Sequence, residues 1–121
     1  MKVTRFYTGP DNETHFEDVE LSMVECSLEE LGITELRSEP MKVKEIIFRE
    51  VAGNSALGWH NAKHRELVIT LDGEAEVEIG DGSKRRFGPG DMILAEDTTG
   101  RGHITRITSK QPRKMVFITL E

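Results

Sequence analysis

Cysteine is nearly absent from this chain: Cys26 is the only one. No intrachain disulfide can form, so packing must hold the fold, and a reducing compartment suits it. Aromatic residues make up 6% of the sequence. No apolar run approaches the roughly 20 residues needed to span a bilayer. The opening stretch, Met1-Lys2-Val3-Thr4-Arg5-Phe6, lacks an apolar core of signal-peptide length. These shortages predict a cytoplasmic protein with no membrane partner. An excess of basic charge is also missing, with 16 Lys and Arg against 22 Asp and Glu, a net charge of -6. Phosphate recognition needs clustered cations, so nucleic acid is not an expected partner. The one basic cluster, Lys84-Arg85-Arg86, reads as a solvated strand face. Gly80-Asp81-Gly82 has no helix after it and is a turn rather than a phosphate-cradling loop. There is no Gly-x-Ser-x-Gly elbow.

What is present is a β pattern. The length of 121 residues, 36% of them hydrophobic, fits one globular domain over 1–121 with a modest core. Val19 to Met23 alternates apolar and polar, as a half-buried strand does. Leu28 to Leu31 makes one helical turn before Gly32, and Val43 to Val51 is a strand rich in β-branched and aromatic residues. Glu66 to Leu71 and Glu74 to Ile79 flank Asp72-Gly73, which predicts a two-residue hairpin with positive φ at both positions. Ala75, Val77 and Ile79 are the inward positions of the second strand. Further strands follow at Lys84–Phe87, Met92–Ala95, His103–Ile107 and Met115–Leu120. Nine or ten short strands at turn spacing, with little helix, predict an all-β sandwich or barrel.

The chemistry gathers in two blocks. The first runs Trp59-His60-Asn61-Ala62-Lys63-His64-Arg65-Glu66. Were it extended throughout, His60, Ala62, His64 and Glu66 would share one face. Joined by His103, these side chains make a candidate site for a divalent metal, Zn, Mn, Fe, Ni or Cu. The alternative is a surface strand that carries them with no metal. Trp59 is either a pocket wall or a packing residue. Arg49, if inward, offers a bidentate grip on a substrate carboxylate; otherwise it is a surface cation. Glu96 or Asp97 is placed to orient a ligand histidine, or both are solvated loop acids. His15 reads as surface.

The order and spacing of these residues resemble the two motifs of the small single-domain cupins. Glu66, six residues and then Gly73 fit the end of the first motif, and His60 fits its first histidine. Ala62 stands where the second histidine belongs, and Gly53 is one residue out of register. Gly90, Gly100 and His103 fit the second motif, with Thr98 in place of Pro and Ile107 in place of Asn. The resemblance covers residues 42–120, with 1–41 supplying N-terminal strands and a loop. It implies a double-stranded β-helix, a jelly-roll barrel, holding one metal on three histidines and a glutamate. Carried over, His60, Glu66 and His103 keep three places, and Ala62 vacates the fourth. His64 would be the substitute ligand or a general base, and so the candidate catalytic residue. The resemblance implies a metal-dependent dioxygenase, isomerase or lyase acting on a small polar molecule. The other reading it allows is a metal-free small-molecule-binding or sensor cupin without catalytic activity. A homodimer is the expected assembly, because a short barrel leaves edges that need cover, with residues 1–41 available to form it.

Overall fold

The computed structural model describes all residues, Met1–Glu121. Gly, Asn and Asp turns break the sequence before any helical period can establish itself. The result is twelve strands and a single 3-10 turn at Glu29–Leu31, two or three strands more than the turn spacing predicts. No helix is long and apolar enough to cross a membrane.

Two sheets enclose the core. The larger runs in the order β2 (Thr14–Glu20), β1 (Lys2–Thr8), β10 (Met92–Ala95), β7 (Glu66–Asp72), β12 (Arg113–Leu120), β5 (Val43–Val51). The smaller runs β6 (Ala56–His60), β11 (His103–Ile107), β8 (Ala75–Glu78), β9 (Lys84–Phe87). From β5 onward the chain keeps switching sheets, with β6, β8, β9 and β11 on one side and β7, β10 and β12 on the other. That alternation is the double-stranded β-helix, and the all-β jelly-roll expectation holds. A separate hairpin, β3 (Met23–Leu28) with β4 (Ile33–Ser38), stands outside both sheets.

Period-two alternation fills the space between the sheets. Ala75, Val77 and Ile79 are buried, as expected. They belong to a core that also holds Phe6, Val68, Phe87, Ile93, Ala95 and Met115. Phe6 is its aromatic hub, with ring centroids 5.2 Å from Phe16, 5.8 Å from Phe87 and 5.1 Å from His103.

Two local expectations fail for reasons of pairing. Asp72-Gly73 is not a hairpin. Both edges of β7 are taken, by β10 and β12, so β8 cannot pair with it and joins β9 and β11 instead. Only Gly73 has positive φ, at 77°. It carries the chain across to the other sheet so close to β12 that a Cβ there would lie 2.7 Å from Arg113 Cα. The strand expected at Val19–Met23 is split at Leu21-Ser22, where the Leu21 N–H turns aside to donate to the Met1 carbonyl at 2.8 Å. The N-terminal strands also do not stand apart from the barrel. β1 pairs in parallel with β10, and β2 extends the same sheet beyond it.

Candidate functional site

His60 and His103 close the ends of β6 and β11, and the register sets them opposite each other. Cross-strand partners point to the same face, so the rings meet edge to face with centroids 4.5 Å apart. Gly102 makes this approach available: its φ is 77°, and any side chain there would run into the His60 carbonyl. Each imidazole is held by Nδ1. His60 Nδ1–H donates to the Gly58 carbonyl at 2.6 Å, and His103 Nδ1–H donates to Asp97 Oδ2 at 2.6 Å. Carbonyl and carboxylate oxygens only accept, so in their neutral forms both rings present an Nε2 lone pair.

Asp97 is the anchor of this arrangement. It is 0% exposed, and its Oδ2 also accepts the Thr14 hydroxyl at 2.8 Å. Its Oδ1 has no partner. The Asn61 side-chain amide pins the loop around it, donating to the carbonyls of Thr99 at 2.8 Å and Gly100 at 3.0 Å. Of the two acids expected to orient a histidine, Asp97 does so. Glu96 is instead held by the guanidinium groups of Arg5 and Arg65.

Glu66 opens β7 and is half-buried. Burial raises its carboxyl above the ordinary range, against the opposing charges of His64 and Arg49. His64 does not share a face with His60 by strand parity. β6 ends at His60, residues 63–65 form a bend, and His64 is exposed. Ala62 lies in the core. Trp59 is 40% exposed and carries the Arg101 guanidinium over its ring at 4.0 Å. His15 pairs with Asp11, and Arg85 and Arg86 pair with Asp18 and Glu74, all on the surface as expected.

Arg49 lies opposite Met115 and beside Ile47, which pairs with Phe117. Because Met115 and Phe117 pack on the core, Arg49 is on the inward face of its strand, with its guanidinium stacked 4.6 Å above the Phe117 ring. It makes no ion pair. Its side chain is exposed at the sheet edge, and its charge acts on His60, Glu66 and Arg113. Arg113 is the residue that sequence reasoning missed. It is 4% exposed, donates from Nη2 to Thr70 Oγ1 at 3.0 Å, leaves Nε without a partner and has no carboxylate beside it. Burial, helped by the charge of Arg49, pushes it down to about 10. The signal was available, since Arg113 has the same parity as the inward Met115 and Phe117.

The metal implied by the resemblance can be tested against these donors. Two imidazoles present lone pairs, but no three His, Cys, Asp or Glu side chains are drawn together to hold an ion. Asp97 is engaged behind His103, and His64 is turned out. The donor set does not fit a three-ligand centre.

The histidine pair sets a pH dependence. Burial, the largest influence, holds His60 below its ordinary value of 6.5, and the neighbouring His103 acts the same way. As pH falls, the unfolded chain therefore takes up this proton before the folded one. Stability is lost below 6.5, down to the depressed folded midpoint, and His60 contributes no further loss beneath it. Glu66 has the opposite sign: its raised folded value gives stability that is present below 4.5 and lost as pH rises through that value. The His60 ring protons, followed by NMR, will titrate with a midpoint below 6.5; a midpoint at or above that value contradicts the burial argument.

The comparisons with known proteins agree on architecture. No family model matches the chain, and no curated protein does. Among solved structures, the chain is similar to a cupin protein from Bacteroides fragilis, at 16% identity over 85% of this chain and 79% of that one, with a TM-score of 0.50. It is similar to a cupin domain from Bordetella pertussis at 12% identity, over 85% of this chain and 97% of that one, with a TM-score of 0.50. The chain spans 61% of a Cupin 2 conserved barrel domain protein from Salinispora arenicola, at 23% identity over 63% of this chain, with a TM-score of 0.49. At such identities the likeness is one of fold: a small cupin-type barrel.

Proposed function

We propose that this cupin-fold domain binds a small organic anion in its barrel interior, with Arg113 and Arg49 holding a carboxylate and His60 and His103 offering Nε2 to the rest of the molecule. One observation carries the reading: a buried guanidinium, Arg113, with an unpartnered Nε and no counter-ion. Burying a charge without a partner is costly, and interiors that do so normally supply an opposite charge or a ligand. A planar carboxylate matches the guanidinium fork, and a second unpaired guanidinium at Arg49 favours the same sign of charge. The His60–His103 pair then serves as acceptor, or as acid and base, toward a hydroxyl or carbonyl elsewhere on the ligand. This reading needs no metal, and it belongs to the binding or sensor class rather than the metal-enzyme class.

Calorimetric titration with a panel of small mono- and dicarboxylates tests it. A hydrogen bond to a charged group contributes about 1.5–3 kcal/mol, so Arg49→Ala and Arg113→Met should each weaken carboxylate binding about 10- to 100-fold. Unchanged affinity in both variants overturns the reading. Elemental analysis of the same preparations is expected to find substoichiometric metal. Stoichiometric metal that disappears in His60→Ala and His103→Ala would replace this reading with that of a metal-dependent dioxygenase, isomerase or lyase, with His64 again its candidate base.

A further inference from the structure

The outer face of the larger sheet is apolar where a solvated face should alternate to polar. Inward positions on β7 and β12 are Val68, Thr70 and Met115, so their neighbours point out. The pairing registers align these into two rows across three strands, Phe48–Val116–Ile69 and Ile46–Ile118–Leu67. The rows end at β5, the sheet edge, where Phe48 is 75% exposed and Ile46 56%. That edge is nine residues long and pairs only with β12, which leaves its outer backbone groups without partners. A long edge with exposed apolar side chains is a template for another strand.

The chain also carries a strand pair that lacks a surface to lie on. The β3–β4 arm pairs only with itself, and an isolated two-stranded hairpin is marginal in water. Strand parity and register put Val24, Cys26, Leu28 and Ile33 on one of its faces, beside the paired Glu35 and Arg37. Val24 and Ile33 are about half exposed there. The arm is acidic: Glu25, Glu29, Glu30, Glu35 and Glu39 against Arg37 alone, five negative charges less one positive, net -4. Lys42 precedes the strand it would meet and Lys44 lies near its start, neither of them ion-paired; with Arg49 they outnumber the strand's acids, Glu45 and Glu50. The arm does not fold back onto its own β5. Pro40 fixes its own φ and forces Glu39 into extended backbone, and residues 39–42 run from β4 to β5 with no turn.

We infer that the occupant of this surface is a second copy of the chain, whose β3–β4 arm lies along β5 and over the apolar rows. The exchange is reciprocal: each copy gives an arm and receives one, which closes a two-fold dimer and leaves no open edge to propagate. Of the N-terminal forty residues expected to serve assembly, β1 and β2 are used within their own barrel, and the arm is the part left over. Because β5 also carries Arg49, the incoming arm covers the sheet edge beside the anion site. The dimer stands whether or not that site binds a carboxylate.

Sedimentation velocity and light scattering at micromolar concentration should give a dimer for the unaltered chain. Phe48→Asp and Val24→Asp alter exposed side chains only, so circular dichroism should show them folded. Each should weaken dimerisation at least 100-fold. A monomeric parent chain overturns the inference, and so does a dimer indifferent to Val24→Asp, since the arm would then not be the occupant. Phe48→Cys adds a geometric check against Cys26. Mild oxidation should link two chains on a non-reducing gel. A disulfide that instead joins Cys26 to the introduced thiol within one chain would mean that the arm folds back, and would also overturn the inference.

Discussion

Asp97→Ala should lower the unfolding free energy by about 3–5 kcal/mol, the loss expected when one partner of a buried charge-assisted pair is removed. The carboxylate has no exposed surface, and one oxygen receives both the His103 ring N–H and the Thr14 hydroxyl. Truncation strands both donors away from water, and each unsatisfied buried donor costs about 1–3 kcal/mol. The two bonds also join distant parts of the chain, since Thr14 is on β2 and His103 opens β11. Asp97→Asn keeps an acceptor oxygen and should lose less, about 1–3 kcal/mol. Urea unfolding with an unchanged denaturant slope provides the measurement. A loss under about 1 kcal/mol for Ala would mean that these bonds do not hold the loop. Function should separate the two variants less than stability does. An amide can present either its oxygen or its N–H to His103, so the ring is no longer committed to offering its Nε2 lone pair.

Phe6→Ala should cost a similar amount, about 3–5 kcal/mol, as large aromatic truncations in cores do. Phe6 is 2% exposed and touches Phe16 on β2, Phe87 on β9 and His103 on β11. It therefore fills the volume between the two sheets, and a cavity there cannot close without moving a strand. The same substitution removes the ring packed against the edge of His103, so carboxylate binding should weaken even at temperatures where the variant is fully folded. Denaturant unfolding and calorimetry on one preparation read both effects. A loss under about 1 kcal/mol would show that the neighbouring rings collapse into the space.

Much of the barrel was legible because its signals are local. β5 and β7 to β12 announce themselves by alternation and by Gly and Asp turns, while His60, Glu66 and His103 were singled out by parity and by the resemblance to the cupin motifs. The rest depends on pairing between distant segments. Asp72-Gly73 has the composition of a hairpin turn, and the same glycine serves equally well to cross between sheets; what decides is that both edges of β7 are occupied. The grouping of His64 with His60 rested on an unbroken strand, and the bend over 63–65 interrupts it. Arg113 was passed over because the last strand was expected to begin only at Met115, whereas β12 begins at Arg113. Its parity with Met115 was the better guide.

The parallel pairing of β1 with β10 has a consequence for how the molecule assembles in time. Thr4 must find Ile93, so a contact near the start of the chain closes only after about three quarters of it has been made. Forming such non-local pairings late, against loop-closure entropy, slows folding. During synthesis β1 and β2 can pair with each other, but they have no sheet to join until β10 emerges. Throughout that interval the edge of β1 that will pair with β10 is open, and His103, which follows β10 in the chain, is not yet there for Phe6 to pack against. The aromatic hub of the finished barrel is thus among the last of its contacts to form.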